Sequence, residues 1–178
     1  LLSHIHGNIG IITLNRPESK NALSDELTPA LRRQISNFNI DDRVNALIIT
    51  GAGDAFCAGG DVKSMNSSNS KKGGWSKSVS EKQVIANLQK KQMTLTYNLY
   101  NFSKPTIAAL PGAAAGAGLS IALACDFRYA TENAFAIAGY GKIALTGDYG
   151  MSWLLPRIVG VSKAKDMMLS NSKVLSKE

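Results

Sequence analysis

Cysteine and histidine are scarce in this 178-residue chain, which has two of each. Cys57 and Cys125 lie far apart and have no CxxC spacing. That argues against a disulfide framework or a zinc site and for reduced thiols. His4 and His6 both sit near the N-terminus, so no helix carries a histidine base. No apolar run approaches the ~20 residues that span a bilayer. The opening LLSHIHGN has no basic segment followed by an apolar one, so no secretory signal is expected. The expected compartment is the cytoplasm, or a mitochondrial or peroxisomal matrix in a eukaryote. Hydrophobic content of 44% and charged content of 19% are those of a globular protein. The length fits one domain, residues 1–178, with a substantial core.

Acidic residues are outnumbered: the formal net charge is +7. Much of the excess lies at Lys71, Lys72, Lys77, Lys82, Lys90 and Lys91. A basic surface suits a nucleic acid, a lipid surface or a phosphorylated cofactor. No aromatic interleaving accompanies these lysines, so a solvated face is the plainer reading and nucleic acid is not the expected partner.

Along the chain, Ile9–Asn15 and Asn45–Thr50 read as buried strands. Ser24 offers an N-cap to a helix that runs to about Asn39 with Leu27, Leu31, Ile35 and Phe38 on one face. Residues Asn66–Ser78, with Trp75 inside them, read as a mobile polar loop. A long amphipathic helix is expected from about Val79 to Phe102. Next come a strand at Thr106–Leu110, a short apolar helix through Ala124, strands at Phe127–Ala130 and Ala134–Ala138, and a helix over Gly150–Val159. This alternation predicts an α/β layered domain.

Two glycine-rich turns, AFCAGGDVK at 55–63 and LPGAAAGAGLS at 110–120, follow strand-like runs. Small residues there let a ligand approach the backbone and leave N–H groups free to donate. Either turn alone is also what a tight strand-to-helix connection requires. Two in one domain can aim two N–H groups at one oxygen, the geometry of an oxyanion hole.

Four blocks then carry a resemblance: NRPESKNAL at 15–23, ALIITGAGDAFCAGGDVKSM at 46–65, KPTIAALPGAAAGAGLSIALACDFRYA at 104–130 and KIALTGDYGMSWLLPRIVG at 142–160. In order and spacing they resemble the crotonase, or enoyl-CoA hydratase/isomerase, superfamily. The resemblance implies a spiral of ββα units and acyl-CoA thioester substrates. It further implies a homotrimer or dimer of trimers, no permanently bound cofactor, and coenzyme A present as part of the substrate. Members usually continue for several tens of residues, so the C-terminal helical trimerisation region is expected to be missing, with MMLSNSKVLSKE as the entry to its first helix.

Carried over by position, the resemblance puts the thioester oxygen between the N–H groups of Ala58 and Ala117. Ala117 stands where many relatives have glycine, which supplies the same donor. Ala22, Gly59, Gly60 and Asp61 would line the coenzyme A arm, and Lys63 would meet a phosphate or face solvent. Hydratases of the superfamily use two glutamates, at positions that fall on Ser120 and near Tyr140–Gly141 here. Neither is an acid, which disfavours hydration. Asp148 matches the acid of the isomerase branches and is expected to be buried against Trp153, Leu145 and Ile143, raising its pKa. The implied activity is therefore migration of a double bond in an enoyl-CoA, with hydration as the alternative. A catalytically weak acyl-CoA or RNA binder using the lysine-rich helix is the rival from another class. Displacement with Asp148 as nucleophile lacks its histidine. Cys57 is expected to be a buried structural thiol.

Overall fold

The computed structural model describes residues 1–61 and 80–177. Its larger sheet has the order β1-β2-β3-β5-β7. β1 (Leu2–His6) runs antiparallel to β2 (Ile9–Leu14), and β3 (Ala46–Gly51), β5 (Thr106–Leu110) and β7 (Phe127–Ala130) follow in parallel. A smaller sheet has the order β4-β6-β8-β9, from β4 (Ala55–Cys57), β6 (Ala113–Ala115), β8 (Phe135–Ile137) and β9 (Val174–Leu175).

Five helices accompany these strands among the described residues: α1 (Leu27–Ile40), α2 (Glu81–Gln92), α3 (Ala117–Ala124), α4 (Met151–Val159) and α5 (Val161–Ser170). Three times the chain passes from a strand of the large sheet to one of the small sheet and then into a helix: β3-β4-α2, β5-β6-α3 and β7-β8-α4. That is the expected spiral of ββα units. β-Branched and aliphatic residues in β2 and β3 alternate inward, and Ile12, Leu14, Leu47 and Ile49 are fully buried. α1 covers them with Leu27, Leu31, Ile35 and Phe38; its N-cap position is Glu26, not the expected Ser24, whose hydroxyl still accepts from Leu27 N at 3.0 Å.

Several expectations shift. Both glycine turns hold a short strand, β4 and β6, because three residues suffice to pair side by side. β1 was not expected; its side chains are mostly exposed, so no alternation marks it. The helix predicted from Val79 is described from Glu81, capped by Ser80, and passes through a π-helical turn at Met93–Tyr97 before ending at Asn98–Tyr100. The tail does not enter a helix: Met167–Ser170 completes α5, Asn171 adopts a left-handed conformation, and β9 pairs antiparallel with β8. Lys63, Lys71, Lys72, Lys77, Trp75 and the loop Asn66–Ser78 lie outside the described residues. No described helix is long and apolar enough to cross a membrane.

Asn21 ties the first block to the first glycine turn. It is fully buried with φ 56°, donates to the carbonyls of Ala52 (2.9 Å) and Ala55 (2.8 Å), and accepts from Arg16 N (2.9 Å). Asn21→Ala strands three backbone groups and puts alanine at a left-handed position, each orphan costing about 1–3 kcal/mol. The expected result in a thermal melt is a fall in Tm of roughly 6–12 °C for about 3 kcal/mol lost. An unchanged Tm contradicts it.

Candidate active site

The two turns meet. A Cβ added to Gly59 would stand 2.9 Å from the Ala115 carbonyl and 3.5 Å from Ala117 N, and the Cα of Gly59 lies 3.9 Å from where a Cβ on Gly116 would be. Both glycines have positive φ, +92° and +50°, so side chains here would meet strain as well as backbone. The approach opens a cleft of about 430 Å³ lined by Ala58, Gly59, Gly60, Ala117, Tyr140 and Asp148 among others.

Backbone pairing decides which N–H groups face that cleft. Ala58 N donates to the Lys20 carbonyl at 2.9 Å, so the expected donor at Ala58 is already engaged within the fold. Leu23 N donates to Gly59 O (2.8 Å) and Asp61 N to Leu23 O (3.1 Å), forming a parallel bridge between Leu23 and Gly60. In that register the flanking groups bond Leu23, and Gly60's own N–H points the other way. Gly60, two residues beyond Ala58, is thus the candidate donor in the first turn. Ala117 opens α3, where first-turn amides have no intrahelical acceptor and the dipole favours an anion, as expected.

Opposite these turns stands Asp148. The Tyr140 hydroxyl donates to Asp148 Oδ1 at 2.6 Å, a charge-assisted bond. The Ser120 hydroxyl, fully buried, donates to the Asp148 carbonyl at 3.2 Å and lies 3.5 Å from Tyr140 Oη. Ser120 and Tyr140 thus fix this one residue, Tyr140 through its carboxylate and Ser120 through its backbone carbonyl. Burial raises the Asp148 pKa from its ordinary value, while the Tyr140 bond opposes that shift. Burial, with the Asp148 charge, drives the Tyr140 phenol well above its ordinary value, so it stays a donor. Of the residues expected around Asp148, Ile143 and Leu145 line the same cleft but are about half exposed, and Trp153 is 43% exposed. Tyr140, which the sequence marked only by its lack of an acid, is the residue missed.

Tyr149, next to Asp148, holds φ 48°, which is uncommon for an aromatic residue and costs energy. Burial raises its phenol pKa, against the pull of the Arg32 guanidinium beside it.

The remaining predicted residues sit apart from this centre. Arg16 donates to the Ala22 carbonyl (2.8 Å) and pairs with Asp61 (3.1 Å), so this trio braces the first turn from behind. Cys57 is fully buried with its thiol pushed up to about 12 by desolvation, and a Cβ on Gly118 would lie 2.8 Å from its sulfur. It is a packed thiol and not a nucleophile. Lys82 and Lys90 are exposed on α2, and Lys91 lines the cleft.

Comparison with known proteins agrees with this architecture. The family model described as enoyl-CoA hydratase/isomerase matches residues 4–178. The chain is 32% identical over 178 residues to a 1,2-epoxyphenylacetyl-CoA isomerase of Escherichia coli K12, covering 100% of this chain and 65% of that protein. It is 35% identical over 169 residues to a probable enoyl-CoA hydratase of Mycobacterium tuberculosis, covering 95% and 61%. Among solved structures, a putative enoyl-CoA hydratase from Streptomyces coelicolor superimposes with a TM-score of 0.87 at 31% identity, covering 100% of this chain and 62% of that one. The chain thus spans less than two thirds of the length of these relatives. With its ββα spiral, its paired glycine turns and a match along nearly its whole length, the chain belongs to the enoyl-CoA hydratase/isomerase family.

Proposed function

We propose that the protein moves a carbon–carbon double bond in an enoyl-CoA thioester, with Asp148 as the proton carrier. The observation that carries this is the single carboxylate held by the Tyr140 hydroxyl, with Ser120 bonded to the backbone carbonyl of the same residue, where a water-activating pair would need two acids. In the proposed step Asp148 takes a proton from C2 of a 3-enoyl-CoA, and the electron pair moves onto the thioester oxygen. Gly60 N–H and Ala117 N–H stabilise that dienolate. Asp148 then returns the proton to C4, leaving the 2-enoyl-CoA. Atoms and charge balance, and no cofactor is consumed. Tyr140 occupies Oδ1, which leaves Oδ2 for the substrate. Trimeric assembly goes with this reading, supported by exposed Met93, Tyr97, Tyr100 and Trp153, a face of the kind oligomers bury.

Incubation with a 3-enoyl-CoA should yield the conjugated 2-enoyl-CoA, followed by its absorbance. Net water addition to a 2-enoyl-CoA with no bond migration would return the reading to a hydratase. A pH profile tests Tyr140. Its bond to Asp148 favours the ionised carboxylate, so Tyr140→Phe raises that pKa further. The acid limb of kcat/KM, which climbs as Asp148 ionises, is expected to move to higher pH. An unmoved limb separates Tyr140 from the base.

A further inference from the structure

The Gly60 N–H is aimed by its own peptide plane. A trans peptide holds its C=O and N–H on opposite sides, and the carbonyl of this unit, Gly59 O, accepts from Leu23 N at 2.8 Å. The Gly60 N–H therefore keeps its direction only while Leu23 and Gly59 stay in register. Little backbone secures that register. Leu23 and Gly60 form a single parallel bridge of two hydrogen bonds, the second from Asp61 N to Leu23 O at 3.1 Å. Gly59 and Gly60 have no side chains to pack, and Gly59 sits at φ +92°.

One guanidinium clamps both sides of this bridge. Arg16 Nη1 donates to the Ala22 carbonyl at 2.8 Å, one residue before Leu23. Its Nη1 and Nη2 lie 3.1 and 3.2 Å from Asp61 Oδ2, one residue after Gly60. The pair is sheltered, with 28% of the Arg16 side chain and 16% of the Asp61 side chain exposed, so it is screened less than a surface ion pair. The Arg16 backbone is itself pinned, since its N–H donates to the buried Asn21 side chain at 2.9 Å. Gly60 lines the cleft, whereas neither Arg16 nor Asp61 is among the described residues that do.

We propose that Arg16 and Asp61 form a positioning pair, which with the Arg16–Ala22 bond holds the Gly60 N–H on the thioester oxygen. This rests on the reading of Gly60 and Ala117 as the oxyanion donors of an acyl-CoA site. Arg16 acts through the register of the bridge and touches no substrate. A donor displaced by about 1 Å loses much of its hold on the developing charge, and such a displacement costs about 10²-fold in rate.

Infrared spectroscopy reads the donors directly. The carbonyl stretch of bound butyryl-CoA, isotopically labelled at the thioester carbonyl, falls in frequency as hydrogen bonds to its oxygen strengthen. The saturated chain undergoes neither bond migration nor hydration. Arg16→Met should move that band to higher frequency than in the parent, lower kcat with a 3-enoyl-CoA by about 10–10²-fold, and leave affinity for free coenzyme A at the parent value. Arg16→Lys, which keeps the charge and loses the fork, and Asp61→Asn should do the same to a smaller degree. They carry the test if Arg16→Met does not fold. Because Asp61 acts through Arg16, adding Asp61→Asn to Arg16→Met should cost no further kcat. Band and kcat at parent values in all three variants, whatever their melting temperatures, make the clamp merely structural and overturn the proposal. So does a band that stays in place while coenzyme A affinity falls, and so does full additivity in the double variant. If the parent binds butyryl-CoA and Ala117→Pro moves the band while the Arg16 variants do not, the acyl-CoA reading stands and only this proposal falls. If the parent does not bind butyryl-CoA, both fall.

Discussion

Asp148→Asn is expected to lower kcat for double-bond migration by about 10³-fold, within the range removed when a positioned proton carrier is lost. The substitution keeps size and shape. The Tyr140 hydroxyl can still donate to the side-chain oxygen that replaces Oδ1, so the turn and the cleft hold their form. What disappears is basicity. An amide cannot take the C2 proton, and Ser120 and Tyr140 cannot replace it: Tyr140 is held protonated by burial and by the charge beside it, and the Ser120 hydroxyl is spent on the Asp148 carbonyl. Affinity for an alkyl acyl-CoA should stay at the parent value, because the proposed thioester contacts come from backbone N–H groups. Single-turnover rates with a 3-enoyl-CoA, alongside calorimetric binding, read both quantities. Turnover within about tenfold of the parent would take Asp148 out of the base role.

The raised pKa of Asp148 sharpens this expectation. Burial by itself favours the protonated carboxyl. The 2.6 Å bond from Tyr140 opposes that shift. Burial and hydrogen bond together move the carboxylate toward the pH at which a base both ionises and accepts.

How much of this was legible beforehand depended on which physical signal each part uses. β2, β3 and β5 were readable because buried parallel strands are continuous apolar runs. Ala117 was readable as a helix start because a glycine-rich turn precedes an apolar run. Asp148 was marked by the resemblance of its block, since an aspartate in Gly-Asp-Tyr-Gly is by itself an ordinary turn residue. The Ala58 assignment missed by two residues, for a definite reason. In a regular extended segment the N–H groups of Ala58 and Gly60, two residues apart, would face the same side. Gly59, at φ +92°, breaks that alternation, so Ala58 N meets the Lys20 carbonyl while the bridge to Leu23 leaves Gly60 N facing away. Tyr140 was hidden because it comes to Asp148 through the 3₁₀ turn Tyr140–Ile143, flanked by left-handed Gly139 and Ala144, which no periodicity announces.

Removing one backbone donor tests the other half of the mechanism, and Ala117→Pro does so with little damage to the fold. Ala117 is the first residue of α3, where proline is well accommodated because its missing N–H bonds nothing in the helix. The preceding residue, Gly116, lies outside the helical region at φ 50° and ψ −127° and has no Cβ to meet the proline ring. The substitution deletes a donor that the fold does not use and that the proposed dienolate does. Loss of one preorganised donor to a developing oxyanion costs about 10²–10³-fold in kcat. That loss is expected in kcat, with a melting temperature near the parent's and coenzyme A affinity preserved, since free coenzyme A has no thioester oxygen to hold. A variant that keeps kcat and gives up only coenzyme A binding would make Ala117 a contact of the cofactor portion and leave Gly60 as the sole candidate donor. If kcat falls in parallel with that of Asp148→Asn, the charge that Asp148 creates by taking the proton is the charge Ala117 receives, and the two walls of the cleft act on one intermediate.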